Sequence, residues 1–247
     1  MSAEGRQYVV LCEGYDDRSF WRGWLLHLGC TDPTERGRKA ALDARGQTVR
    51  GQGRFLLRTP AGSDLIIKPY HGRSNARDAV AEYLGGLQPH PPDKVILNLD
   101  SDAEDDDAST AEDQVLGIAR SLGADARGAG PFAIGGSLLD AVVWRCDDPE
   151  PSPGVPRKQT LERLVTAGIR AAYPERGSAV EAWLDAQPQG VRLPRSFAFS
   201  YYAKWHADRG AAEFYESVWR DEQVATELMR RLTATGATEI VESVVNQ

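Results

Sequence analysis

Cysteine is scarce in this chain. Cys12, Cys30 and Cys146 are the three among 247 residues, too few and too scattered for a disulfide framework or a zinc site with CxxC spacing. Buried, reduced thiols are the expectation. Long apolar runs are missing too: none approaches the roughly 18 residues that a membrane span needs. The N-terminal MSAEGRQ leads straight into an apolar strand without the hydrophobic segment of a secretory signal, which predicts a cytoplasmic protein with no membrane partner. Histidines 27, 71, 90 and 206 fall at no HxxxH or HxE spacing, and no stretch fits GxxxxGK[ST], so neither a zinc hydrolase motif nor a phosphate-loop ATPase is encoded. No self-similar period marks a repeat array.

What remains is an ordinary globular composition, 41% apolar, with a net charge of -7 that is unevenly placed. Residues 36–58 carry Arg36, Arg38, Lys39, Arg45, Arg50, Arg54 and Arg58 against the single acid Asp43. Residues 100–113 carry Asp100, Asp102, Glu104, Asp105, Asp106, Asp107, Glu112 and Asp113 against no base. Two solvated loops would account for this, and so would a metal site that handles a phosphate polymer gripped by Arg36, Arg38, Lys39, Arg45, Arg50 and Arg54.

Periodicity orders the chain. A strand over 8–12 is followed by a helix over 16–29 with Phe20, Trp21, Trp24, Leu25 and Leu28 on one stripe, a core-facing pattern. A Gly- and Arg-rich stretch over 31–53 reads as loop, and residues 31–60 as a basic loop and hairpin insertion, with short strands over 54–58 and 64–69 joined by a Pro/Gly turn. A helix over 75–86 closes on Gly85-Gly86. The run Lys94 to Leu99 has no alternation, as in a strand buried on both faces of a parallel sheet. A helix over 109–122 and strands over 131–134 and 139–145 complete the alternation of an α/β fold. Beyond the proline-rich DDPEPSPGVP the chain reads as helical over 158–172, 178–186, 196–208, 211–219 and 221–234. The expected organisation is an α/β body over 1–147 and a helical C-terminal part over 148–247 that completes the domain.

Two apolar strands end in acids, YVVLCEG and VILNLDSD. Helix capping explains Asp16 or Asp17, which sit where a first turn offers free N–H groups. It does not explain Glu13, which lies before the glycine at the carboxyl end of the strand, where open parallel sheets bind ligands. Adjacent parallel strands would deliver Glu13, Asp100 and Asp102 to one edge. Carboxylates crowded together raise one another's pKa unless a cation offsets them, and hard oxygen ligands suit Mg²⁺ or Mn²⁺.

With these residues in view, the chain resembles the Toprim domain shared by topoisomerases, bacterial primases and OLD-family nucleases. YVVLCEGYDDRSF is similar to the strand, Glu-Gly turn and helix of its first motif, and VILNLDSD to its DxD motif. The likeness to the OLD-type branch extends to Asp17 at a second acidic position, to Glu162 in QTLERL as a third acidic motif carried by the C-terminal part, and to Lys204 in SYYAKWHADRG as the C-terminal lysine. The resemblance implies a Rossmann-like, mostly parallel sheet flanked by helices. It also implies a metal-dependent nuclease, with Glu13, Asp100 and Asp102 holding one divalent ion and Asp17 and Glu162 helping to place a second. Lys204 would stabilise the charged phosphate, beside the plainer reading of a surface lysine on an amphipathic helix. By family analogy the setting is bacterial or phage genome defence, with DNA as substrate, RNA as the alternative, and any ATPase supplied by a separate partner. A homodimer is expected because one short basic segment grips a duplex poorly. Two further readings stay open: a non-catalytic Toprim nucleic-acid-binding or regulatory subunit, and an RNA-processing or primase-like enzyme.

Tyr201, Tyr202 and Trp205 are spaced to pack a helix on the body or to stack on bases. Gly135-Gly136-Ser137 reads as a turn.

Overall fold

A computed structural model describes residues 5–33, 53–86, 88–104, 109–128, 130–146, 157–186, 198, 200–201 and 211–247. Its centre is a six-stranded sheet formed by β1 (Gln7–Cys12), β2 (Phe55–Arg58), β3 (Asp64–Pro69), β4 (Lys94–Asp100), β5 (Phe132–Ile134) and β6 (Ser137–Trp144), in the spatial order β2-β3-β1-β4-β6-β5. The four inner strands run parallel, and β2 and β5 are antiparallel edges. Among the described residues eight α-helices flank the sheet: α1 (Tyr15–His27), α2 (Ala76–Leu84), α3 (Ser109–Ser121), α4 (Leu161–Ala172), α5 (Pro174–Asp185), α6 (Ala211–Ser217), α7 (Glu222–Ala234) and α8 (Ala237–Val245). The α/β class and the mostly parallel sheet are as the alternation of elements predicts. Among the described residues no helix is long and apolar enough to cross a membrane.

The central strands are apolar on both faces because both faces are covered. On β1, Tyr8, Val10 and Cys12 enter one cluster with α1 and α4–α8, while Val9 and Leu11 enter a second with α2 and α3. The first cluster joins Val142 and Trp144 of β6 to Leu164, Leu228 and Val241 of the C-terminal helices. The helical part therefore shares the core of the α/β body. Cys12, Cys30 and Cys146 are buried thiols outside any disulfide, and burial pushes the Cys12 thiol well up. A thiol so placed is inert.

Polar groups inside this core are satisfied in ways that fix the sheet edge. Asn98 is fully buried on β4; its Oδ1 accepts from Trp21 Nε1 (3.1 Å) and its Nδ2 donates to the Val142 carbonyl (3.0 Å). Tyr70 Oη donates to the Asn98 carbonyl (2.9 Å). These bonds tie α1, β4, β6 and the exit of β3 together directly beneath the acidic strand ends.

An aromatic cluster seats α1. Trp24 stacks on Trp219 at 5.9 Å and an interplanar angle of 3°, and Phe20 meets Trp144 edge-on at 5.2 Å. Gly23 permits the close approach: a Cβ there would lie 2.5 Å from Trp219 Cδ1 and 2.7 Å from the Glu216 carbonyl oxygen. Gly23→Ala gains about 1 kcal/mol of helix propensity but forces apart closely packed groups at a cost of about 1–3 kcal/mol or more. A lower urea midpoint with an unchanged slope is the expected result; a raised midpoint would contradict this packing.

Candidate functional site

The parallel pairing of β1 with β4, Tyr8 opposite Lys94 through Leu11 opposite Leu97, brings the two acidic strand ends to one edge. Beyond Cys12 the chain turns through Glu13 and Gly14 into α1. Asp17 caps that helix: Gly14 N–H donates to Asp17 Oδ2 (3.0 Å). Its other oxygen accepts from Trp144 Nε1 (2.8 Å) at the end of β6. Capping and site membership are thus the same fact about Asp17.

The third acidic element arrives at the same edge through α4. Asp100 Oδ1 accepts from the Leu161 N–H (3.0 Å) at the first turn of α4, so a β4 carboxylate complements the helix dipole. Thr160 caps the helix through Arg163 N–H. The preceding segment is zipped to the loop after β4: Asp102 N–H donates to the Gln159 carbonyl (3.0 Å) and Gln159 N–H to the Ala103 carbonyl (2.8 Å). The buried Gln159 side chain accepts from Cys146 N–H (2.7 Å). Glu162 is thereby held beside Asp100.

Glu13, Asp16, Asp17, Asp100 and Glu162, with Gly14, Tyr15 and Leu161, line one open pocket of about 330 Å³. These lining residues include no base. Burial pushes the Asp17 carboxyl up to about 7, opposed by the Trp144 hydrogen bond and reinforced by Glu162 and Glu13. Burial, then Asp17, Glu162 and Glu13, hold Asp100 well above the usual carboxylate range. Glu13 is raised by burial and by Asp102 and Glu162, with Arg73 pulling the other way. A set of oxygen donors that cannot all ionise together suits either shared protons or a hard divalent cation. The donor chemistry fits Mg²⁺ or Mn²⁺. Among the described residues, however, no group of three or more His, Cys, Asp or Glu side chains is arranged to hold a metal ion as it stands.

Asp102 stands apart from the other acids. Its carboxylate pairs with Lys158 Nζ (2.5 Å) and Arg73 NH1 (3.2 Å) at the rim, and its backbone is left-handed at φ 63°. Short polar residues such as Asp tolerate that conformation, which is enriched at functional sites. The structure thus brings together Glu13, Asp17, Asp100 and Glu162, and places Asp102 beside them on two cations. Arg54 lies on the approach to β2. Arg36, Arg38, Lys39, Arg45, Arg50 and Lys204 lie outside the described residues, as do Asp105–Asp107, Tyr202, Trp205 and His206. Tyr201 is fully buried and packs a helix, and Gly135-Gly136 is the β5–β6 turn.

Three residues escaped sequence reasoning. Trp144 lies in the strand expected over 139–145 and was not singled out, although a tryptophan at a strand end carries a donor that a neighbouring acid can use. Arg73 and Lys158 each sit next to an element that feeds the same edge, but nothing in their local sequence marks them.

No family model matches the chain, and no curated protein does. The fold is similar to the crystal structure of a hypothetical protein from Pyrococcus horikoshii OT3, with a TM-score of 0.70 and 17% sequence identity over 97% of this chain and 99% of that one. At that identity the likeness is one of fold alone, and it spans the C-terminal helices as well as the sheet.

Proposed function

We propose that this protein is a divalent-metal-dependent nuclease of Toprim type that hydrolyses phosphodiester bonds in DNA. The observation that carries the reading is the convergence of Glu13, Asp17, Asp100 and Glu162 on one pocket from two adjacent parallel strands and two helix starts. Glu13, Asp17, Asp100 and Glu162 would hold Mg²⁺ or Mn²⁺, which when bound supplies Lewis-acid stabilisation of phosphoryl oxygens and acidifies water for attack. The chain's own contribution is positioning. Trp144 Nε1 and Gly14 N–H fix the Asp17 carboxylate, and Leu161 N–H fixes that of Asp100.

A second reading, a non-catalytic Toprim nucleic-acid-binding or regulatory module, is favoured by one observation: the chain carries a net charge of -7, against the grip on a polyanion that a nuclease needs. One experiment separates the two. Purified protein is incubated with supercoiled plasmid, linear duplex and single-stranded RNA in Mg²⁺, Mn²⁺ or EDTA. The nuclease reading expects cutting of the DNA substrates that EDTA stops. Binding without cutting under all conditions would establish the module instead, and cutting confined to RNA would transfer the chemistry to RNA processing.

A further inference from the structure

We propose that Arg73 and Lys158, joined through the Asp102 carboxylate at the rim of the acidic pocket, form the site that seats a backbone phosphate of the nucleic-acid substrate. The inference rests on the reading of the pocket as a hydrolytic centre and assigns its phosphate grip to residues other than Lys204.

An acidic pocket repels a polyanion, so a substrate phosphate needs cations at the edge of the carboxylates. Arg73 and Lys158 are placed there by separate elements. Gly72 N–H donates to the Glu13 carbonyl (3.2 Å), and Gly72 at φ 102°, after His71 at φ 61°, bends the chain leaving β3 across the end of β1. That bend brings Arg73 near enough to Glu13 to oppose the rise of its carboxyl pKa. Arg73 Nε is held by Gln114 Oε1 (2.5 Å) on α3, which aims the guanidinium at Asp102 Oδ2. Lys158 comes from the opposite side, on the segment zipped to residues 102–103, and reaches Asp102 Oδ1.

Both cations face solvent: the Lys158 side chain is 52% exposed, Arg73 28% and Asp102 36%. Solvent-facing ion pairs of this kind contribute little to stability, so folding alone gives little reason to assemble them around a left-handed aspartate. A planar guanidinium with a flexible ammonium beside it matches the donor demands of a phosphodiester. In the absence of nucleic acid, Asp102 occupies the place of that phosphate.

A structural ion pair and a phosphate seat respond differently to substitution. Breaking a structural pair from either end has the same sign. In a phosphate seat, Lys158→Gln and Arg73→Gln weaken binding, whereas Asp102→Asn strengthens it by removing the competing negative charge. The test is fluorescence anisotropy of short labelled single-stranded and duplex DNA in EDTA across a salt series, with cleavage in Mn²⁺ run in parallel. Arg127→Gln, on an exposed residue paired with Asp125 ahead of the edge strand β5, is the control. Expected are a roughly several-fold or greater loss of affinity for each cation variant and a salt slope reduced by about 0.7–0.9 for each phosphate no longer neutralised. Asp102→Asn binds more tightly and Arg127→Gln is unchanged. No DNA binding by the wild type, unchanged slopes in both cation variants, or weakening by Asp102→Asn to match Lys158→Gln would overturn the assignment. Cutting by the wild type with unchanged binding by the variants would refute this site alone. Opposite-sign binding shifts without any cutting would refute hydrolysis alone.

Discussion

In EDTA, the folded protein loses stability as the pH rises from about 4 to about 7, and Mg²⁺ or Mn²⁺ restores it. The sign follows from Asp17. Burial and the neighbouring acids raise its carboxyl from 3.8 to about 7 in the folded state. A raised acid pKa means that the folded protein keeps a proton that the unfolded chain releases. The associated stability is fully present below the unfolded value near 4, falls through the interval, and is gone above 7. Three units correspond to about 4 kcal/mol, and Asp100, shifted in the same direction, adds to the trend. About two of those units lie above pH 5, about 3 kcal/mol, which for a chain of this size is a fall in Tm of about 5–10 °C between pH 5 and pH 8. A divalent ion binds the deprotonated carboxylates, so its stabilisation grows as the pH rises. Thermal unfolding at both pH values with EDTA and with Mg²⁺ checks this, with Asp17→Asn as the variant expected to flatten the EDTA curve. A Tm in EDTA that rises with pH would mean that the carboxylates are not crowded as described.

Glu13→Gln and Asp100→Asn should each lower metal-dependent cleavage by about a thousandfold or more, since loss of several kcal/mol of charge stabilisation converts at about 1.4 kcal/mol per tenfold. Both substitutions preserve shape, and Asn can still accept the Leu161 N–H bond made by Asp100. Each removes one member of a mutually repelling set, so each should also make the metal-free protein more stable at pH 8, a gain of about 1 kcal/mol or more. The combination of lost activity with gained stability distinguishes a site from a structural cluster. Asp102→Asn should cost cleavage far less, because the Asp102 carboxylate is engaged by Arg73 and Lys158 at the rim. Equal losses from Asp100→Asn and Asp102→Asn would return Asp102 to the metal shell implied by the resemblance to Toprim proteins.

The contrast between these residues shows what sequence reading could reach. Glu13 and Asp100 were legible because an apolar run without alternation, such as Val95 to Leu97, announces a strand covered on both faces, and parallel strands present their carboxyl ends together. Asp17 was legible as a cap, and it makes that bond to Gly14 N–H; the same side chain lines the acidic pocket. Glu162 was reachable only through the resemblance, since its arrival depends on the Asp100–Leu161 bond between distant segments. Arg73 and Lys158 carry no local signal, because a left-handed turn at His71-Gly72 and the zipper at Gln159 put them in place.

Elements show the same division. The periodicity does not predict α8: ATEIVESVV is rich in β-branched residues, which favour strands, and the segment is helical because Val241, Val244 and Val245 pack into the shared core. The boundary expected after residue 147 marks a change of composition but not of packing, since Trp144 and the C-terminal helices lie in one apolar cluster.

The most direct measurement is titration of the metal-free protein with Mn²⁺ at pH 8, followed by calorimetry and by the electron paramagnetic resonance signal of the free ion, beside Glu13→Gln and Asp100→Asn. Saturable binding by the wild type, with proton release below neutral pH and at least a roughly tenfold weaker affinity in both variants, is the expected result. Absence of saturable binding, or binding that survives in both variants, would contradict the metal site on which the proposed hydrolysis depends.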